Sequence, residues 1–264
     1  MKSNTQSNSI VRIYRSKSDI ENLSRLRTSI PTEIDTYDYK GVIVNKPWGY
    51  EYLMYENQYV AIWILHLKHQ HKTSMHCHPN KKTSYIVLSG TVVCSTLEGW
   101  TECKEGEGLI IDEGVFHCTK VSSEKGAIVM EIESPPNKKD LVRLKDEYGR
   151  ENQGYEEADK MSKKIEEYEY IDFHNMPVKK KHSKTLRNCL LSVHISESNN
   201  IDQKIKRESA HILCLLQGKL HDINGNTVLT PGEAGVISEI KGHKGLVAFG
   251  KMTYLTLNYK NDYE

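Results

Sequence analysis

The sequence predicts an all-β protein in which two β-barrels are joined by a charged, partly helical connector. From residue 41 onwards, short runs rich in Val, Ile, Tyr and Thr alternate with turn residues, as in YEYLMY, YVAIWILHL and GLIIDEG. Strands that recur about every 8–12 residues are typical of a β-sandwich or barrel. A charged stretch interrupts this rhythm, and short strands resume after it. Because no segment of helical periodicity interrupts the strands before the charged stretch, a βαβ architecture is not expected.

Changes in composition divide the chain into four parts. Residues 1–40 form a polar extension with one weakly amphipathic helical stretch around Asp19–Arg27. Residues 41–136 form the first barrel. Residues 137–185 form the connector, in which EEADKMSKKIEE predicts one exposed helix with i,i+4 ion pairs. Residues 186–264 form a second barrel that repeats the rhythm of the first.

Charge and hydropathy narrow the class of protein. The 264 residues carry 36 basic and 35 acidic side chains, so no global field favours nucleic acid or an anionic membrane. There is neither a helix-turn-helix signal nor a stretch of the ~20 apolar residues that span a bilayer. The polar start lacks the apolar segment of a signal peptide, and a cytoplasmic location is therefore expected. The six cysteines form no CxxC pair and are expected to be free thiols.

The strongest chemical signal is a set of three histidines. His76 and His78 are separated by one residue, and His117 follows the run GEGLIIDEGVF. Residues i and i+2 of a strand face the same side, so His76 and His78 can direct two imidazoles at one point. A third histidine from a neighbouring strand would complete a facial set of ligands with open positions. We therefore expect one divalent metal ion (Fe, Zn, Mn or Ni) in the first barrel.

The histidine segment resembles the two motifs of the cupin family, G-x5-H-x-H-x(3,4)-E-x6-G and G-x5-P-x-G-x2-H-x3-N. The corresponding positions here are Gln70, His76, His78, Thr83, Gly90, Gly106, Asp112, Gly114, His117 and Val121. The resemblance implies jelly-roll barrels and a metal bound by the three histidines. Thr83 stands where the family has a glutamate ligand, so the resemblance leaves the anionic ligand of the metal unassigned.

The flanking segments resemble the cupin part of type II mannose-6-phosphate isomerases. NKPWGYEYLMYE precedes the histidines and DLVRLKDEYGR follows them, and the resemblance covers roughly Val44 to Arg150. It implies aldose–ketose isomerisation, which needs a metal to polarise a carbonyl, a base to move a proton, and cations to hold a phosphate. That family often has Gln in place of His76 and keeps the glutamate that Thr83 replaces here.

Seven further residues are candidates for this chemistry. The catalytic candidates are Glu131, Glu133 and Arg143, and the substrate-binding candidates are Lys46, Trp48, Lys82 and Arg150. The alternation in IVMEIES puts Glu131 and Glu133 on one face of a strand, although solvent exposure is the simpler expectation for both and for Glu51. Trp48 is expected to cover or pack at the barrel mouth.

Other polar residues receive structural interpretations. Cys77 and Cys118 adjoin metal ligands and should face away from the metal as packing residues. A second cluster, His66, His69 and His71, is expected to be exposed rather than to bind metal.

The second barrel has lost the motif. Lys204 and Lys206 take the positions of the paired histidines, His211 that of the glutamate and His243 that of the last histidine. Lysine is protonated at neutral pH and is a poor ligand, so this barrel is expected to be structural or dimer-forming, with an anion pocket around the two lysines as the alternative.

Three functions remain open. The first is a metal-dependent isomerase or epimerase of a phosphorylated or nucleotide-linked sugar in surface-glycan metabolism. The second is a three-histidine iron oxygenase, which the missing glutamate favours. The third is a non-catalytic sugar-binding protein. The expected partner is a small molecule, such as a sugar phosphate, and the family resemblance implies a possible homodimer.

Overall fold

Two β-sheets form the first lobe. The computed structural model describes residues 9–26, 35–151, 153–176, 181–196 and 200–260. The strands of this lobe are β1 (Ile10–Ile13), β2 (Ile43–Lys46), β3 (Gly49–Glu56), β4 (Ala61–Leu67), β5 (Met75–Cys77), β6 (Lys82–Ser89), β7 (Thr91–Thr96), β8 (Trp100–Lys104), β9 (Gly108–Ile111), β10 (His117–Val121), β11 (Ala127–Ser134), β12 (Val142–Lys145) and β13 (Met161–Ser162). The larger sheet has the order β1-β9-β6-β11-β4-β3-β2-β13, and the smaller has the order β12-β5-β10-β7-β8.

The central strands of the larger sheet are buried on both faces. All seven residues of β4, AIWILHL, are buried, and the antiparallel partners β3 and β11 are almost fully buried as well. Trp63 and Leu65 pack towards the smaller sheet, whereas Ile62 and Ile64 belong to the core shared with the second lobe. This two-sided burial explains why β4 is a continuous apolar run rather than an alternating one.

The N-terminal region is part of the first lobe. Strand β1 pairs in parallel with β9, and helix α1 (Lys17–Arg25) begins at a capping box between Ser16 and Asp19. Asp19 is 2% exposed, and its Oδ1 accepts a hydrogen bond of 2.9 Å from the backbone N–H of Phe116. The predicted helix is thus found, slightly displaced, and it anchors the loop directly before His117.

The connector does not contain the predicted helix. The segment EEADKMSKKIEE forms two 3-10 turns, Ala158–Lys160 and Ile165–Glu167, on either side of β13, which pairs with β2. An α-helix here would expose nearly all its faces, whereas the extended chain gains strand pairing and covers about twice the distance per residue. It therefore crosses the first lobe as an extended segment.

A second pair of sheets forms the C-terminal lobe. Its strands are β14 (Lys181–Leu186), β15 (Cys189–Ser196), β16 (Ile212–Gln217), β17 (Leu220–Asp222), β18 (Thr227–Leu229), β19 (Ala234–Val236), β20 (Leu246–Ala248) and β21 (Met252–Tyr259). The sheet orders are β14-β15-β21-β16-β19 and β18-β17-β20. Strand β14 begins before the predicted boundary at residue 186. Two short helices that the sequence did not predict, α2 (Ile201–Lys206) and α3 (Ile237–Gly242), complete the lobe.

The two lobes share one apolar core. Residues of β3, β4, β6 and β11 pack in the same buried cluster as residues of β15, β16 and β21. Polar contacts cross the junction as well: Ser84 Oγ donates to the carbonyl of Gly232 at 2.6 Å, and the Tyr259 hydroxyl donates to the carbonyl of Val87 at 3.0 Å. All six cysteines are buried free thiols, as expected. Among the described residues, no helix is long and apolar enough to cross a membrane.

Candidate metal centre

The fold brings the three predicted histidines together. His76 lies in β5, His78 follows the end of that strand, and His117 opens β10 directly opposite His76. One ring nitrogen of each lies within 4.8 Å of one nitrogen of the others. Cys77, between the first two ligands, packs in a separate apolar cluster, so it faces away from the site as predicted.

Backbone carbonyls fix the orientation of all three imidazoles. The Nδ1 atoms lie 2.8 Å from the carbonyl of Ser74 for His76, 2.7 Å from that of Asp140 for His78, and 3.0 Å from that of Val115 for His117. A carbonyl oxygen can only accept, so each Nδ1 carries the proton and each Nε2 keeps its lone pair. Carbonyl contacts of this kind are how proteins orient histidines that ligate metals.

Burial keeps the ligands neutral. It lowers the pKa of His76 and of His78 well below the usual value and lowers that of His117. The Nε2 atom of His78 is buried and has no hydrogen-bond partner among the described residues. Neutral imidazoles with unused lone pairs directed at one place are the donor set that a divalent transition metal prefers.

Glu131 brings a negative charge to the same place. Its Oε1 lies 3.6 Å from Nε2 of His78, and its side chain is buried. Both atoms are acceptors, and a cation between them would satisfy both. In the register of β6 and β11, Thr83 is opposite Glu133 and Tyr85 is opposite Glu131. Glu131 therefore places a carboxylate from the neighbouring strand beside the three histidines, and the residues present fit a divalent ion.

Glu133 and Glu51 belong to a buried ion-pair network. Lys138 Nζ lies 3.1 Å from Glu133 and 3.3 Å from Glu51, and Lys81 Nζ lies 2.9 Å from Glu133. Burial raises the pKa of Glu51, but Lys138 and Lys46 outweigh it and bring the pKa to about 2. The expected solvent exposure of Glu51, Glu131 and Glu133 is wrong, because the sheet turns these side chains into the lobe.

Three cations converge beside the histidines. Arg143 is directly opposite His76 in the pairing of β12 and β5. Lys46, Arg143 and Arg150 all contact the carboxylate of Glu156, which comes from the connector. These residues line one cavity of about 60 Å³ together with His76, His78, Glu131 and Trp48. The structure thus brings together nine of the ten predicted site residues: His76, His78, His117, Glu131, Glu133, Arg143, Lys46, Trp48 and Arg150.

Lys82 does not join them. It lies on the opposite face of β6, where Nζ contacts Glu233 at 2.7 Å and Thr230 at 3.1 Å in the second lobe. Strand alternation explains why Lys82 lies elsewhere, since adjacent residues point to opposite faces and Lys81 is the one that faces the cavity. The predicted exposure of His66 is also wrong: its ring stacks on Tyr50 at 4.3 Å, and burial lowers its pKa to about 4.

Four ionisable residues of the cavity were missed from the sequence: Lys81, Lys138, Tyr155 and Glu156. The inward face of β6 could have identified Lys81, whereas the others lie in irregular segments whose direction no periodicity reveals.

The second lobe has no equivalent cluster among the described residues. Lys204 and Lys206 lie on α2 rather than on a strand, and His243 is exposed at the end of α3. His211 accepts a hydrogen bond from the backbone of Tyr259. The loss of metal ligands expected for this lobe agrees with this arrangement.

Comparison with known proteins finds similarity only among solved structures. No family model matches the chain, and no curated protein matches it. Similar structures include oxalate oxidase in complex with glycolate, with 16% identity over 32% of this chain and 46% of that one, at a TM-score of 0.30. Others are KdgF from Halomonas sp., with 11% identity over 40% and 96% of the two chains and a TM-score of 0.34, and an uncharacterised protein with a double-stranded β-helix domain from Klebsiella pneumoniae, with 16% identity over 43% and 100% and a TM-score of 0.36.

The chain spans less than half the length of the oxalate oxidase that it resembles. Scores and identities at this level carry no argument about function, and the assignment of the fold rests on the chain itself. Two facing antiparallel sheets enclose a cavity, and adjacent strands β5 and β10 bring the motif histidines to it. The predicted all-β architecture is thereby confirmed, whereas the resemblance to the cupin family and to its isomerase subfamily stays a prediction.

Proposed function

We propose that the protein is a metal-dependent isomerase or epimerase that acts on a phosphorylated or nucleotide-linked sugar, in surface-glycan metabolism. The observation that carries this proposal is one cavity that is lined by three converging cations and by His76 and His78, two members of the neutral three-histidine cluster. The histidine cluster can bind a divalent ion, and the cations can bind an anionic substituent of the substrate.

Each part of the cavity has a role in this chemistry. A divalent ion held by His76, His78 and His117 would polarise a carbonyl group of the sugar. Glu131 is the base: it takes the proton from the carbon next to the carbonyl and returns it to the former carbonyl carbon, while the hydroxyl proton of the first carbon moves to the former carbonyl oxygen. An epimerisation would need a second group to deliver the proton to the opposite face. Arg143, with Lys46 and Arg150, holds the phosphate. Trp48 closes one wall of the cavity.

Glu131 suits the role of base better than Glu133. Two lysine ammonium groups lie within 3.1 Å of Oε1 of Glu133, so the charge of this carboxylate is already balanced by two cations. For Glu131, the contact with His78 is the one ion-pair distance under 4.0 Å to a described residue. A base needs an unengaged lone pair within reach of the substrate, and Glu131 provides it beside the metal site.

The first test is the metal content of protein prepared without a histidine tag. We expect near-stoichiometric metal in the wild type and its loss in His76→Ala/His117→Ala. The matched control is His69→Ala/His71→Ala, which removes two neighbouring histidines outside the cluster and should leave the metal content unchanged. A wild type that takes up no iron, zinc, manganese or nickel would contradict every metal-dependent function.

The second test separates the base from the ligands. Glu131→Gln should retain the metal but lose the exchange of the C2 proton of an aldose 6-phosphate with deuterium from solvent, followed by NMR. A loss of metal in Glu131→Gln would instead identify Glu131 as a ligand. Binding of the sugar phosphate without exchange in the wild type, with no effect of a chelator, would favour a non-catalytic sugar-binding protein.

One observation favours an iron oxygenase as the second candidate. The three nitrogens that lie within 4.8 Å of one another all belong to neutral imidazoles, and Thr83 stands in the position of the family's glutamate. Three neutral ligands leave open positions for oxygen and substrate. Oxygen consumption by the protein loaded with ferrous iron would support this function, and zinc or manganese as the resident metal would argue against it.

A further inference from the structure

We infer that Glu156 is an internal anion that occupies the binding site for the anionic group of the substrate, and that residues 153–157 form a strap that this group displaces. The inference takes its substrate class from the proposed function. Its test requires neither metal nor turnover, so that the two proposals can fail separately.

The carboxylate of Glu156 is held as a bound anion would be. Arg150 Nη1 lies 2.6 Å and Arg143 Nη2 lies 3.5 Å from its Oε1, while Lys46 contacts Oε2. The side chains of Lys46, Arg143 and Glu156 are each at most 7% exposed. Two guanidinium groups and one ammonium group around a single acceptor group form the kind of site that recognises phosphate.

Arg143 depends on the strap. Its guanidinium donates to the carbonyls of Gln153, at 2.6 Å, and of Gly154, and it contacts Glu156, so these hydrogen bonds to described residues all end on the strap. Its Nε is buried and has no hydrogen-bond partner in the described part of the chain. If the strap moves away, Arg143 needs several new acceptors at once, and a phosphate group offers several oxygens.

The available space also requires the strap to move. The inner cavity has about 60 Å³, whereas small-molecule sites are typically about 300–1,000 Å³. On the other side of Arg150, Tyr155 and Glu156 lies an open pocket of about 740 Å³. These three residues line both spaces and therefore form the wall between them. Removing this wall would join the two spaces into one that admits a sugar phosphate.

The contacts of the strap suit an exchange of anions. Its inward contacts are polar for Glu156, which faces the cations, and for the Tyr155 hydroxyl, which donates to Glu51. The Tyr155 ring also packs edge-on against Tyr39 and Trp63. Gln153, Gly154 and Glu157 are exposed. Without an external anion, the strap stays closed because the buried cations need a counter-charge. With one, a phosphate takes the place of the carboxylate and supplies at least as much negative charge to the cations.

The test is calorimetric titration of the full chain with inorganic phosphate. We expect Glu156→Gln to bind phosphate about tenfold more tightly than the wild type, or better, because the internal competitor is gone. The matched control is Glu157→Gln, which removes the same charge one residue away, at an exposed position without contact to the cations. It should bind phosphate as the wild type does.

A second variant shows where the phosphate binds. Glu156→Gln/Arg143→Gln should lose the gained affinity, and phosphate should raise the melting temperature of Glu156→Gln more than that of this double variant. Equal affinities of the wild type, Glu156→Gln and Glu157→Gln would overturn the inference. So would a gain that survives in the double variant, because the phosphate would then bind elsewhere.

Discussion

Both lobes are built from two paired sheets, but the interior of the first lobe is polar and charged, whereas that of the second is apolar. Inside the first lobe lie buried histidines, glutamates, lysines and arginines around a cavity. Inside the second lie Leu213, Leu215, Leu220, Ile237 and Ile240, with α2 and α3 packed into the same cluster. The sheets therefore specify the fold, while the inward-facing side chains decide whether the lobe holds a site.

The histidine positions show how the second site was lost. In the first lobe, β5 is a strand, so that alternate residues face one point. At the corresponding place in the second lobe, helix α2 turns Lys204 and Lys206 away from each other and buries Ile201 and Ile205 instead. The two lobes therefore differ at this place in secondary structure as much as in residue type.

The largest loss of stability should come from a substitution that breaks the buried ion-pair network of the first lobe. Lys138→Met leaves Glu51 and Glu133 buried without their shared partner, and we expect a loss of about 3–5 kcal/mol in the free energy of unfolding. Urea denaturation measures this loss. In the double variant Lys138→Met/Glu133→Gln, part of the stability should return, and strictly additive losses would show that the pair does not interact.

Truncating an apolar side chain in the second lobe should reduce the free energy of unfolding by a similar or smaller amount than Lys138→Met. It should leave the metal centre of the first lobe unchanged. Leu215→Ala removes a fully buried side chain from the second core, which should cost about 3 kcal/mol. Metal affinity, measured by calorimetry at a temperature at which the variant is folded, should stay at the wild-type value. A weakened affinity would mean that the second lobe supports the metal centre.

Acid should weaken the stabilising contribution of the buried carboxylates in the first lobe. The pKa of Glu51 is about 2 in the folded protein, against an ordinary value of 4.5, so its stabilising contribution is present above pH 4.5 and is lost as the pH falls towards 2. Urea denaturation between about pH 5 and 3 should show a smaller fall in stability for Glu51→Gln than for the wild type. The exposed Glu239→Gln in the second lobe should follow the wild type.

The smallest effect is expected from restoring the motif in the second lobe. Lys204→His/Lys206→His recreates the H-x-H sequence on α2, where the two rings point in different directions. We expect no additional metal in elemental analysis. A second equivalent of bound metal would show that the segment can become a strand and that residue type alone had removed the site.

Periodicity accounts for what the sequence revealed. The spacing of His76 and His78 together with strand alternation placed both imidazoles correctly, and His117 followed from the motif. That Glu131 and Glu133 share one face of the strand followed from the same alternation, but that this face is buried did not, because the sequence does not show which face of a strand is covered.

Long-range contacts account for what the sequence missed. Lys46 and Glu156 are separated by 110 positions, and nothing in the local pattern of the connector marks Glu156 as buried. The helices α2 and α3 have six residues each, too few to show an amphipathic period. The connector helix was predicted from ion-pair spacing, which stabilises a helix only weakly and gave way to pairing with β2.

The contact between Asp19 and Phe116 has a practical consequence for the choice of chain boundaries. One carboxylate both caps α1 and holds the amide that precedes His117. A shortened protein that begins at Gly41, where the strand rhythm starts in the sequence, would lack this anchor and the cover that β1 gives to β9. Such a protein should fold with a misplaced third ligand, so a preparation intended to carry metal must include the residues from Ile10 onwards.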